Sequence, residues 1–315
     1  MLTDPQAIPN VEEYPEYYIA YKIQNMIHWT SEKVDLKEDI KDLIADRDSP
    51  LAHAVCFILK LFHRNEIFIG KDHWGSIAEF FPKFSIYLMT SAFTGNEAVH
   101  ARAYSLLPEY AGLNTKDFLL DLSPELLNRI RFLETSSKET DFLKRLTAFS
   151  GLTEGCSLYS SFAVMMRPGT EGKFKNLFTI LKYSVRDESL HSKMGCMLAK
   201  TYWEELGKPD RPWLKPMCEE FYKTECLIID EMFRKGEIED IDAPNLKKYV
   251  RNRMYKKLIE LGAQPWFELQ EENITPWFEI YTSGIEFFDL FNTPPTAYSK
   301  INVMIIDCTD RGIAL

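Results

Sequence analysis

The chain has 315 residues, 45% hydrophobic and 13% aromatic, enough for one large core or two modest domains. Its 37 Lys and Arg stand against 47 Asp and Glu, a net charge of −10 that argues against a nucleic-acid backbone, another polyanion or a membrane surface as partner. The stretch Met1–Asn10 is polar and proline-containing, so no signal peptide is expected, and no uncharged run reaches the roughly 18 residues of a membrane span.

In chain order, residues 1–13 read as an irregular arm and 14–29 as a first helix, with a short second helix over 35–45. Ser49-Pro50 reads as an N-cap with proline at the first helical position, opening an apolar helix over 51–69 that Gly70 would stop. Pro82 precedes a long helix over 83–110, and Ser123-Pro124 opens another. A long apolar helix spans 138–166, closed by Pro168-Gly169, and the next spans 173–206, stopped by Gly207 and Pro209. Helical stretches near 213–235 and 243–261 complete a body placed at 14–291. The tail, 292–315, carries Pro294-Pro295 and no clear period, so it is expected to be extended or flexible. Alternating strand patterns are scarce, and the chain is expected to be all-α. No internal repeat or low-complexity linker is visible. Six cysteines (Cys56, Cys156, Cys196, Cys218, Cys226, Cys308) form no Cys-x-x-Cys pair, which fits a reduced, cytoplasmic compartment.

Two of these helices carry the same signature. Glu97-Ala-Val-His100 and Glu188-Ser-Leu-His191 each set a Glu and a His three apart, on one helix face and within reach of a common ion. Each is preceded by a further Glu on the previous long helix: Glu66 lies 31 before Glu97, and Glu154 lies 34 before Glu188. Any one of these residues alone is an ordinary surface group. Together they are the ligand set of a ferritin-like helical bundle with a dimetal-carboxylate site in its core. Two divalent ions bring four positive charges, four glutamates balance them, and two neutral histidines fill remaining positions. Oxygen and nitrogen donors without thiolate favour iron or manganese over copper. His28, His53, His63 and His73 are read as ordinary histidines.

Tyr104 lies four residues after His100, one turn along the ligand face. The segments Glu97-Ala-Val-His100-Ala-Arg-Ala-Tyr104 and Arg186-Asp187-Glu188-Ser-Leu-His191 resemble the two signatures of the small (β) subunit of class I ribonucleotide reductase. Trp29 followed by Asp35, and Glu154-Gly155, match that family as well, and the resemblance runs from about residue 14 to 290. It implies a homodimer whose oxidised dimetal centre passes a one-electron hole to a cysteine of a separate large (α) subunit, where ribonucleotides are reduced to deoxyribonucleotides. It further implies a relay through His100, Asp187 and Trp29, continued by a tail tyrosine. Tyr298 is the candidate, its other reading being a surface tyrosine. The apolar end Ile313, Ala314, Leu315 would dock on the large subunit.

Three departures bear on the subclass. Glu66 stands where the family usually has Asp. Ser184, four before Glu188, replaces an apolar residue of the tyrosyl-radical pocket and puts that role of Tyr104 in doubt. Lys71 follows Glu66 by five and could hydrogen-bond Glu97 and draw in an anionic oxidant, or be a solvated loop lysine. Glu66 with Lys71 resembles the subclass (class Id) that uses two Mn ions activated by superoxide, holds its oxidant as Mn(III)/Mn(IV) and leaves the tyrosine unoxidised. The alternatives are two Fe activated by dioxygen with a radical on Tyr104, a Mn/Fe ligand-binding oxidase on the same scaffold, and a ferritin-like storage bundle.

Overall fold

Proline and serine set the helix starts. In a computed structural model, which describes residues 1–45, 47–113, 116–238 and 240–282, the Ser49 and Ser123 hydroxyls accept the Ala52 and Leu126 backbone N–H, and proline follows each serine. The helices are α1 (Pro15–Met26), α2 (Ile40–Ala45), α3 (Pro50–Ile67), α4 (Gly75–Phe80), α5 (Phe84–Tyr110), α6 (Lys116–Leu120), α7 (Pro124–Ser137), α8 (Phe142–Leu146), α9 (Leu158–Thr170), α10 (Lys175–Glu205), α11 (Leu214–Met232), α12 (Ala243–Glu260) and α13 (Thr275–Thr282). Two wide-turn segments continue them: π1 (Phe68–Trp74) follows α3, and π2 (Thr147–Ser157) joins α8 to α9. No strand occurs among the described residues. The fold is a ferritin-like helical bundle, with α1 and α3 against α5 and π2 against α10.

The sequence reading needs three corrections. Gly70 does not stop α3: the chain runs through it in π1 and on into α4. A Cβ at Gly70 would lie 2.8 Å from Glu97 Cβ, so this glycine serves close approach of π1 to α5 rather than a helix end. The helix expected over 138–166 begins only at Phe142, where the Asp141 carboxylate accepts the Leu143 N–H at 3.0 Å, and its centre is π-helical. Pro168 does not close it, since α9 continues to Thr170 with Pro168 in the last turn, where little helix remains downstream. The short α6 and α13 were not anticipated, and the tail from 283 onward lies outside the described residues.

The N-terminal arm has no helix, yet it is fastened to the body. Leu2 is fully buried and its N–H reaches Glu205 Oε2 at 2.6 Å, while Glu13 accepts a hydrogen bond from the buried Lys83 at 2.6 Å. The N-terminus of α10 is capped from a distance. Asp39 accepts the Leu177 and Asn176 N–H groups at 2.6 and 3.3 Å, and Asp42 accepts that of Phe174 at 2.7 Å. These aspartates satisfy donors that a helix start leaves open and place negative charge at the positive end of its dipole. Replacing Asp39 with Ala should cost about 1–2 kcal/mol in denaturant titration, the scale of a lost cap, with the folded protein's metal capacity unchanged.

Candidate metal centre

The six residues singled out in the sequence meet in the bundle core. Glu66 comes from α3, Glu97 and His100 from α5, Glu154 from π2, and Glu188 and His191 from α10. None is more than 2% exposed. They fall into two overlapping groups able to hold an ion each: Glu66, Glu97, His100 and Glu188, and Glu97, Glu154, Glu188 and His191. Glu97 and Glu188 belong to both, as residues between two ions must.

Both imidazoles turn Nδ1 toward the carboxylates. His100 Nδ1 lies 2.9 Å from Glu188 Oε1 and 3.3 Å from Glu97 Oε2, and His191 Nδ1 lies 2.6 Å from Glu97 Oε1. Yet Glu97 Oε1, both oxygens of Glu66 and Glu188, Glu154 Oε2 and His191 Nδ1 have no well-formed hydrogen bond. Buried polar atoms are normally satisfied. Lone pairs crowded together without bonding geometry are what ligands aimed at a shared cation look like, so the donor set fits a pair of divalent ions.

The far nitrogens are held by the protein. His100 Nε2 pairs with Asp187 Oδ2 at 3.1 Å, and His191 Nε2 with Gln24 Oε1 at 3.1 Å. Such outer partners fix ring orientation and tautomer and raise the basicity of the inward nitrogen. Asp187 also accepts the Trp29 indole N–H at 2.6 Å, the Asn96 amide at 3.2 Å and the Gln24 amide at 3.4 Å. Burial pushes the Asp187 carboxyl up, but the hydrogen bonds from His100 and Trp29 outweigh it and keep the carboxyl below its ordinary range. On the first shared face, Tyr104 is buried with its ring 6.1 Å from that of His100 and 4.8 Å from that of Phe62. Its hydroxyl has no well-formed hydrogen bond. Ser184 adjoins it, with its own hydroxyl donating to the Ile180 carbonyl at 3.2 Å.

Lys71 is exposed. It lines an open surface cavity of about 540 Å³ with Asp72, Glu134, Lys138 and Arg145, and does not reach Glu97. Asp35 only caps its own turn, while the buried aspartate nearby is Asp39. Tyr298 lies outside the described residues. Sequence reasoning passed over Gln24, Asn96 and Trp74 around the cluster, and read His73 as an ordinary histidine. Gln24 and Asn96 hold the outer hydrogen bonds, Trp74 donates to Glu154 Oε1 at 2.6 Å, and His73 packs flat on Phe149 with Nε2 3.0 Å from Ser150 Oγ. Gln24 and Asn96 are polar residues inside apolar helical faces, a signal that was present. Trp74 and His73 carried none, because they sit beyond the glycine read as a helix end.

Without cations this site is overloaded with negative charge. Burial, then the neighbouring carboxylates, hold Glu66, Glu154 and Glu188 above the ordinary carboxyl range. Burial opposes the charge on Glu97 too, but His191 and His100 more than offset it and keep Glu97 low. Groups raised on folding favour the fold below about 4.5 and cost stability as pH climbs through their folded values. The metal-free protein should therefore lose stability as pH is raised above 4.5, and ion uptake should release protons and tighten with rising pH. Calorimetry in buffers of different ionisation enthalpy reads that release. Glu188→Gln should raise metal-free stability by about 0.5–2 kcal/mol while lowering bound metal below two ions per chain, measured by denaturation and elemental analysis.

Comparison with known proteins agrees with this geometry. Residues 9–274 match the family model described as ribonucleotide reductase, small chain. A probable ribonucleoside-diphosphate reductase small subunit of Invertebrate iridescent virus 6 is 24% identical over 302 residues, covering 82% of this chain and 83% of the relative. Among solved structures, the dimanganese(II) NrdF of Streptococcus sanguinis superposes with a TM-score of 0.73 at 18% identity, covering 89% of this chain and all of that one. An R2-like ligand-binding oxidase variant with a reconstituted Mn/Fe cofactor gives 0.65 at 15% identity, over 78% of this chain and 96% of that one. At such identities the structural likeness speaks to the fold alone.

Proposed function

The chain belongs to the ribonucleotide reductase small-chain family, and from that membership we propose that it generates the radical a large subunit needs, using a dimanganese centre held by Glu66, Glu97, His100, Glu154, Glu188 and His191. When bound, the metal pair supplies a stored one-electron oxidant, formed with superoxide. The observation that carries the reading is the convergence of these six buried side chains with unmet lone pairs.

The protein's own groups then do the rest. His100, Asp187 and Trp29 form a continuous hydrogen-bonded line leading away from the cluster. An electron drawn inward from Trp29 leaves an acidic indole cation, and Asp187 at 2.6 Å is placed to take the N–H proton and return it when the electron comes back. Moving proton and electron together avoids a bare charge in a buried site, which would be costly. The outer face of Trp29 meets Tyr183, ring centroids 5.5 Å apart, with Lys33 and Arg186 over the tyrosine ring. The protein is proposed to act as a homodimer, with residues 292–315 docking on the large subunit and Tyr298 continuing the relay.

Tyr104 supports a metal-held oxidant over a tyrosyl radical. Burial holds its phenol well above the ordinary value, and its hydroxyl, which adjoins Ser184, has no well-formed hydrogen bond. Such burial disfavours loss of the proton that a phenol gives up on oxidation. The neighbouring Ser184 adds a buried hydroxyl beside the phenol.

Apoprotein loaded with Mn(II) and exposed to superoxide should give a multiline mixed-valent manganese electron paramagnetic resonance signal and support ribonucleotide reduction with the large subunit. Tyr104→Phe should keep at least about half of that turnover, since an interaction absent from the reaction contributes nothing to its rate. A tyrosyl radical formed with Fe(II) and dioxygen, with turnover abolished in Tyr104→Phe, would instead establish the iron reading.

A further inference from the structure

Glu154 differs from the other three carboxylates of the centre. Neither oxygen of Glu66 or Glu188 has a well-formed hydrogen bond, and the Glu97 oxygens meet the two imidazoles. Among the described residues, Glu154 is the one of the four whose oxygen takes a well-formed hydrogen bond from a donor outside the cluster: Trp74 Nε1–H reaches Oε1 at 2.6 Å, while Oε2 has no well-formed hydrogen bond. A charge-assisted hydrogen bond of this length between buried groups is a strong one.

Trp74 is itself tightly placed. Fully buried, it ends π1, and its ring packs edge-on against Phe93 at 4.9 Å and His191 at 6.0 Å. The residue before it ties π1 to π2: His73 stacks on Phe149 at 4.7 Å, and its Nε2 meets Ser150 Oγ at 3.0 Å. Ser150, which also adjoins Glu154, is fixed in turn because Ser192 on α10 donates to its carbonyl at 2.6 Å. The indole N–H therefore belongs to a rigid frame, and Glu154 cannot swing its carboxylate without breaking a buried bond.

An oxygen that accepts an indole N–H keeps a lone pair, but its carboxylate is fixed in orientation, with Oε1 turned to Trp74 and Oε2 left to face the cluster. We propose that Trp74 is a positioning residue: by fixing the orientation of the Glu154 carboxylate it keeps Oε1 turned away from the ion shared with Glu97, Glu188 and His191, so that a small exogenous anion can reach that ion. The proposal rests on reading these residues as metal ligands. Without the indole N–H, Glu154 would be free to turn both oxygens inward and take the anion's place itself.

The test uses full-length protein loaded with Mn(II), and azide as the anion. Metal content is measured first, then azide is titrated while the Mn(II) electron paramagnetic resonance line shape is followed. The wild type should hold two ions per chain and show a saturable azide response. Trp74→Phe, and a variant with 3-benzothienylalanine at position 74, which keeps the indole's shape without its N–H, should also hold two ions. Both should bind azide at least about tenfold more weakly, the scale on which outer partners tune a metal site. Unchanged azide affinity in the isosteric variant, or no azide response in the wild type, would overturn the role of Trp74 while leaving the site intact. A wild type that does not take up two ions would overturn the metal reading itself, and this inference with it.

Discussion

Four carboxylates buried beside two imidazoles are the constraint to which the rest of the molecule answers. Each buried charge costs several kcal/mol unless opposite charge meets it, and among the described residues the ion-pair partners of Glu97 and Glu188 are the two histidines, with no Lys or Arg. Two histidines offset only part of the load, which is why Glu97 stays low while Glu66, Glu154 and Glu188 are pushed up. The fold thus holds a site that is incomplete without cations, at a cost in stability borne by the surrounding apolar core. Function and instability share one origin here.

The frame that holds those groups is built from irregularity as much as from regular helix. Both π1 and π2 lie beside the cluster, and wide turns of this kind are frequent at functional sites. An inserted residue rotates the helix face, so π1 brings Gly70 against Glu97 and Trp74 onto Glu154, while π2 presents Glu154 itself. Around this, Asp39 and Asp42 fix the start of α10, and Asp187 and Gln24 orient the imidazoles. Ligand, outer partner and helix cap form one connected set.

Much of this was legible in the sequence. The paired Glu-x-x-His motifs and their preceding glutamates are local spacings, and a 3.6-residue period carries them directly to a shared face. Serine followed by proline marked the starts of α3 and α7 for the same local reason. What escaped depends on contacts between distant segments. Gly70 looks like a helix end until Glu97 is seen against it; the start at Phe142 is different, since the polar stretch from Ser136 to Asp141 with its capping aspartate marks it locally. His73 looked ordinary because nothing in its own neighbourhood reveals Phe149 and Ser150. Of the two readings of Lys71, a partner for Glu97 or a solvated lysine, its exposed position on π1 matches the second, while Gly70 faces Glu97.

The central claim is that these six side chains hold two cations. Anomalous diffraction from crystals of Mn(II)-loaded protein, collected above and below the manganese edge, tests it most directly. Two peaks should appear in the core, one among Glu66, Glu97, His100 and Glu188 and the other among Glu97, Glu154, Glu188 and His191. A core without anomalous density, with manganese bound elsewhere or not at all, would contradict the account.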